Sequence, residues 1–227
     1  MYKLLLAEES EAIINKVLGM LDDRWEVRIC RAGYLVKEML FDYKPDAMVV
    51  NLSLDGKSSV NMIADCFPNL PFLIVAMGSS VNSFMRQHLG RWGVDYVLEI
   101  DSDMGLLQSI LHSPEIFNKI AVKRTAEHLR VLGVHSAYVG YTYLLLAIPY
   151  ISEDTTRQLH KDLYGYISNV VNAEAGSIEH AIRTAVMDAW KRYIPEIWGL
   201  YFPLNKLAEI NCPNNKEFIS ALALKIR

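Results

Sequence analysis

The sequence predicts an α/β domain built as a doubly wound parallel sheet, followed by an all-helical domain. Three observations carry this. Short apolar runs alternate with helical patterns through roughly the first 115 residues, strand-length runs then give way to helical spacing after residue 120, and two amphipathic stretches there are joined by only three residues. Residues 3–7 (KLLLA) and 47–50 (AMVV) are continuous apolar runs of the kind found in parallel strands buried on both faces, and 72–77 (FLIVAM) is a third. Trp25–Cys30 alternates apolar and charged residues, which suits a strand nearer the edge, and Tyr96–Leu98 is a short fifth candidate. Ile13, Ile14, Val17, Leu18 and Leu21 recur at helical spacing after Ser10, a candidate N-cap; Leu35, Met39 and Leu40 mark a second helix. Weaker helices fit 59–66, 80–92 and 102–112, so five βα units are expected, with any site at the C-terminal ends of the strands.

Residues 113–124 (SPEIFNKIAVKR) form a joint without a Gly/Ser tract, and the chain divides into domains at 1–116 and 117–227. Beyond it, Leu129, Val131 and Leu132 precede Gly133, a helix terminator, and Tyr141, Leu144, Leu145 and Ile148 share a face of a helix ending near Pro149. Helices are expected over 155–171, 175–193 and 214–227. Within them LYGYISNVV (163–171), NAE (172–174) and AGSIEHAIRTAVMDAW (175–190) have the form of a helix-turn-helix over 163–190, whose second helix can enter a major groove.

With 227 residues, 52% of them apolar, the chain can bury a sizeable core. No apolar run approaches the roughly 18 residues of a membrane span, and the N-terminus lacks a cleavable leader pattern, so a cytoplasmic protein without a membrane partner is expected. Cys30, Cys66 and Cys212 are odd in number and widely spaced, which indicates neither a disulfide framework nor a zinc site; His128, His135 and His160 lack metal-ligand spacing. No cofactor and no metal is expected, and no nucleophile-base-acid set marks an enzyme. The net charge of −3 conceals a difference between the parts: up to residue 120 there are 11 Lys and Arg against 16 Asp and Glu, and after it 12 against 10. A mildly basic second half is compatible with nucleic acid and equally with a solvated surface.

The order of elements and the strand-end residues of the first half resemble the receiver domain of bacterial response regulators, which implies a sheet of order 2-1-3-4-5. In that family an acidic pair after the first strand binds magnesium, the third strand ends in the phosphoaccepting Asp, the fourth in Thr or Ser, and the fifth in Lys. This chain departs at each place. Glu8 and Glu9 stand for the acidic pair, Asn51 for the phosphoacceptor, Val75 or Ala76 for the hydroxyl, and Glu99 or Ile100 for the lysine, the last two depending on register. An amide is no phosphoryl nucleophile, and the charge-assisted contacts to a phosphoryl group are missing. Asp55 is nearby, but in an Asp-Gly turn four residues later. The first half is therefore expected to be a pseudo-receiver, locked in one state or switched by something other than phosphate, or else kept only as a scaffold or dimerisation surface.

The second half resembles the DNA-binding effector domain of the stage zero sporulation protein A family, through GVHSAYVGYTYLLLAI (133–148), EHAIRTAVMDAW (179–190) and PNNKEFISALALKIR (213–227). The resemblance implies a transcription regulator that binds double-stranded DNA, pairs as a homodimer or with a related regulator, and contacts RNA polymerase. Its recognition helix presents Arg, Glu, Arg and Arg; the matching positions here are Ser177, Glu179, His180 and Arg183. Arg can fork across guanine and Glu can accept from cytosine, each contact giving roughly 1 to 3 kcal/mol of discrimination. Ser177 and His180 are weaker substitutes, and Asn169 and Val170 replace lysines usual in the first helix, so weakened or altered DNA binding is expected. Alternatively, Arg183 pairs with Glu179 at i and i+4, and the protein is a diverged interaction module that modulates a true family member or polymerase without reading DNA. A small ligand in the vacated phosphate pocket is a third reading.

Overall fold

A computed structural model describes residues 1–54, 71–157, 162–202 and 211–227. They form two compact units, Met1–Ile120 and Ala121–Arg227. The expected helix at 59–66, together with Asp55, Cys66 and His160, lies outside the described residues.

The first unit holds β1 (Tyr2–Ala7), α1 (Glu11–Leu18), β2 (Trp25–Cys30), α2 (Gly33–Tyr43), β3 (Ala47–Asn51), β4 (Leu73–Gly78), α3 (Ser83–Arg91), β5 (Tyr96–Glu99) and α4 (Met104–His112). Its five strands are all parallel in the order β2-β1-β3-β4-β5, as expected. The continuous apolar runs are explained by two cores, one on each face of the sheet. Leu5, Met48, Val50, Ile74 and Ala76 meet Val36 and Leu40 of α2 and Leu89 of α3 on one face. Leu4, Leu6, Val49, Val75 and Met77 meet Ile14 and Val17 of α1 and Leu107 and Leu111 of α4 on the other. Strand β2 is at the edge, and its alternation follows from facing solvent between buried Trp25 and Cys30. Ser10 occupies the N-cap position of α1, but its side chain does not cap; Asn82 does cap α3, accepting from the Met85 amide at 2.8 Å.

The joint read at 113–124 is helical: it begins α5 (Pro114–Val131). Gly133, at φ 76°, ends the turn after this helix, where the Val134 amide donates back to the Leu129 carbonyl at 2.9 Å. The second unit continues with α6 (Val139–Glu153), α7 (Tyr164–Val171), α8 (Ala175–Trp190), α9 (Pro195–Trp198) and α10 (Asn215–Lys225). Two boundaries differ from the periodicity. Helix α6 runs through Pro149 to Glu153, because Ala147, Ile148, Pro149 and Ile151 are all buried and their packing offsets the missing proline donor, which costs about 3 kcal/mol. Residues 155–157 form a turn, not the start of a helix: the Asp154 carboxylate accepts from both the amide and the hydroxyl of Thr156. Helix α9, not anticipated, is begun by Pro195 at its first position and buries Trp198 against Trp190, Phe202 and Phe218. Trp190 and Tyr138, Tyr141 and Tyr143 all pack on this core.

His128 gives this unit an acid sensitivity. Burial holds its imidazole below the ordinary value of 6.5, with Nδ1 2.8 Å from the Tyr201 hydroxyl. Below pH 6.5 the unfolded chain therefore binds more protons than the fold, so stability falls as pH drops through that window. Melting curves from pH 7.5 to 5 are expected to show this fall, and His128→Gln is expected to flatten it.

Candidate functional site

At the C-terminal ends of β1 and β3 stands a polar pair. Glu8 follows β1 and is fully buried; Asn51 closes β3 and is half-buried. Asn51 Nδ2 donates to Glu8 Oε1 at 3.2 Å and to Oε2 at 3.0 Å. Glu8 Oε1 also accepts from the Glu9 and Ser10 amides, both at 2.9 Å, and this engages Ser10 through its backbone. Asn51 Oδ1 in turn accepts from the Ser53 amide at 2.9 Å, fixing the orientation of its amide. A buried carboxylate is tolerated only when donors surround it, and here the asparagine is one of them. Glu8 and Asn51 are thus a matched pair: the acid is buried and the amide supplies donors that it needs. Glu9 is exposed.

Register decides the remaining positions. Asn51 is level with Met77 of β4, so Val75 and Ala76, expected at that strand end, lie inside the strand opposite Val49 and Val50, each 0% exposed. Gly78 extends the strand beyond the apolar run, so both positions lie short of its end. Glu99 is the last residue of β5, alongside Gly78. Its carboxylate accepts from the Val81 amide at 3.4 Å and the Ser102 hydroxyl at 3.2 Å, and its own amide donates to Asp103 at 2.8 Å. Three of the predicted positions, Glu8, Asn51 and Glu99, thus stand at strand ends, and none offers a hydroxyl or cation to an anion. Among the described residues no three His, Cys, Asp or Glu side chains come together as metal ligands.

In the second unit α7 and α8 are joined through Asn172, which adopts the left-handed conformation at φ 52° that asparagine tolerates. The Ser168 hydroxyl donates to the Ala173 carbonyl at 2.7 Å across the turn, and the Ile178 amide donates to the Glu174 carbonyl at 3.1 Å as α8 begins. Ile167 of α7 and Ile178 and Ile182 of α8 are fully buried together. This leaves Ser177, His180, Thr184 and Met187 exposed on the outer face of α8, with Glu179 and Arg183 half-buried at its side. The flanking helix α10 holds that side: Asn215 Nδ2 donates to the Glu179 carbonyl at 2.9 Å and to the Tyr164 hydroxyl at 3.3 Å. Burial pushes the Tyr164 hydroxyl up, keeping it neutral. Arg183 Nη1 donates to the Pro213 carbonyl, a partner that periodicity could not suggest because it lies 30 residues on.

A sequence model of the family described as sporulation initiation factor Spo0A, C terminal, matches residues 125–226. Residues 125–226 are thus similar to the Spo0A C-terminal family. In this Spo0A-like unit α7 and α8 are two helices joined by a short turn, and a sheet of order β2-β1-β3-β4-β5 precedes it. Solved structures similar to the first unit include the phosphorylated cyanobacterial phytochrome response regulator RcpA, 22% identical over 48% of this chain and 88% of that one, with a TM-score of 0.42. The beryllofluoride-activated NtrC4 receiver domain dimer is 15% identical over 49% and 95%, with a TM-score of 0.44. A CheY-like receiver domain protein from Methanospirillum hungatei JF-1 is 10% identical over 56% and 98%, with a TM-score of 0.47. No described helix is long and apolar enough to cross a membrane.

Proposed function

We propose that this chain is a sporulation-type transcription regulator that binds double-stranded DNA through α7 and α8 and acts without aspartyl phosphorylation. The observation that carries the reading is the Asn51–Glu8 pair at the phosphoacceptor position of a sheet joined to a Spo0A-type domain. An amide already donating to a buried carboxylate has neither the nucleophilic oxygen nor the space to take a phosphoryl group. Helix α8 projects as a recognition helix does, with Ser177 and His180 outward and Glu179 and Arg183 at its side. Two copies on adjacent half-sites, in a cytoplasmic setting and in contact with RNA polymerase, complete the proposal.

The test is a fluorescence anisotropy titration of the full chain against a duplex bearing a Spo0A-family operator and a scrambled duplex, at two salt concentrations. Preference for the operator is expected, and Arg183→Ala is expected to lower it roughly 10-fold, within the 1 to 3 kcal/mol of one good base contact. Incubation with acetyl phosphate is expected to change neither the mass nor the binding. Equal affinity for both duplexes at low salt, or an acid-labile phosphoryl adduct, overturns the reading.

A second reading is favoured by one observation. The outer face of α8, made by Ser177, His180, Thr184 and Met187, carries no lysine or arginine, which suits an interaction module that pairs with a true family member. Co-purification with such a regulator, unaffected by Arg183→Ala, distinguishes it.

A further inference from the structure

A lysine of another helix stands beside α8. A single open cleft is lined from α8 by Glu179, His180 and Arg183, and from the entry to α10 by Asn214, Asn215 and Lys216. Two bonds between side chain and backbone bind these strips of chain together in opposite directions: Arg183 reaches the Pro213 carbonyl, and Asn215 reaches the Glu179 carbonyl. A reciprocal capping box, in which Asn214 accepts from the Glu217 amide at 2.9 Å and the Glu217 carboxylate accepts from the Asn214 amide at 3.0 Å, fixes the first turn of α10. Lys216 is therefore carried at a constant position relative to the recognition helix. It is exposed, and among the described residues it makes no ion pair or hydrogen bond. Asn215 is only 7% exposed, and its Oδ1 accepts no hydrogen bond among the described residues.

We propose that the entry to α10 is part of the nucleic-acid surface, with Lys216 contacting a backbone phosphate on the strand beside the groove that α8 enters. The proposal rests on the DNA-binding reading above and deepens it. A backbone contact from a fixed neighbouring helix sets the register and depth of α8, while sequence is read by α8 alone. It replaces, from outside the helix-turn-helix, part of the phosphate attraction given up at Asn169 and Val170.

The test uses the full chain in anisotropy titrations against operator and scrambled duplexes from 50 to 300 mM salt, with Lys216→Ala, Lys216→Arg and Lys216→Glu beside the unaltered protein. Lys216→Ala is expected to weaken binding to both duplexes by the same factor, several-fold at low salt, and to reduce the slope of log K against log salt by roughly 0.9, the share of one phosphate. Lys216→Arg is expected to keep both affinity and slope, and Lys216→Glu to lose more than Lys216→Ala. An unchanged slope in Lys216→Ala, while the unaltered chain still prefers the operator, overturns this proposal and leaves the DNA-binding reading standing. A loss confined to the operator duplex also overturns it, since that is the mark of a base contact. If the unaltered chain binds neither duplex at low salt, both readings fall together.

Discussion

Gly140→Ala is expected to destabilise the C-terminal unit by about 3 kcal/mol or more, at the upper end of the cost of overpacking a core. A Cβ at Gly140 meets the Ala181 carbonyl oxygen at 2.1 Å and carbon at 2.6 Å, and the Ala185 Cβ at 3.0 Å. The obstacle is backbone of α8, so no rotamer change relieves it: α6 and α8 must separate, and separation opens the layer in which Leu144, Ile148, Ile182 and Val186 are fully buried. The residue sits in the first turn of α6, so helix propensity alone favours alanine there, and the expected result runs against that preference. Thermal unfolding of the full chain, followed in the tryptophan signal of Trp190 and Trp198, is expected to show a fall of roughly 10 °C or more in the transition of this unit. Gly165→Ala in α7 is the companion measurement. Nothing lies within 4 Å of a Cβ there, so it is expected to be neutral or to stabilise by about 0.5 to 1 kcal/mol. A Gly140→Ala transition within a degree of the unaltered protein would show that the helices do not cross where the geometry has them.

Because the helix crossing also carries Glu179 and Arg183 on the opposite side of α8, its effect reaches function. An α8 displaced from α6 takes with it the carbonyl that Asn215 holds and the guanidinium bound to Pro213. Gly140→Ala is accordingly expected to weaken operator binding even when measured well below its unfolding transition.

The contrast between what was legible in the sequence and what was not follows the reach of each interaction. The sheet was legible because burial on both faces forces continuous apolar runs, and β2 announced its edge position by alternation. The capped start of α10 was legible because Asn214 and Glu217 are neighbours in sequence. Register was not: Met77 lies level with Asn51 only because of the pairing between β3 and β4, which no local pattern encodes. Nor could local pattern show that Pro149 stays within α6, since the residues that compensate for it come from the packed core of the unit. The site divides in the same way. Asn51 was recognisable as a departure from an acid, but its reason was not, because Glu8 is 43 residues away. The tethers from Arg183 to Pro213 and from Asn215 to Glu179 span 30 and 36 residues, and they join α10 to α8 although nothing near 163–190 points to it.

The second large effect is expected from Asn51→Asp, which turns a donor toward a buried carboxylate into a second carboxylate. Nδ2 lies 3.0 Å from Glu8 Oε2, and Glu8 is 0% exposed, so two like charges would face each other with little water between them. The introduced carboxyl is expected to be held protonated well above the ordinary range near 4, as in paired acids that share one proton. The sign of the pH dependence follows. A group whose folded value is raised above its unfolded value carries no penalty below the unfolded value; the penalty grows as pH rises toward the folded value and is constant beyond it. The variant is therefore expected to match the unaltered protein near pH 4 and to be less stable by about 3 kcal/mol at pH 7, a gap that corresponds to roughly two pH units. Urea unfolding of the first unit between pH 4 and 8 measures this directly. Asn51→Ala separates charge from a lost hydrogen bond, since its deficit is expected to be smaller and nearly flat with pH. Combining Asn51→Asp with Glu8→Gln reverses the amide and the acid while keeping one donor and one acceptor between them, and is expected to recover most of the loss. Restoring the acid alone is not expected to restore phosphorylation, because Met77 brings no hydroxyl level with it and Glu99 ends β5 where a cation would be needed. If Asn51→Asp is as stable as the unaltered chain at pH 7 and is labelled by acetyl phosphate, then Glu8 and Asn51 are not partners in the sense argued, and the first unit retains the chemistry of a receiver.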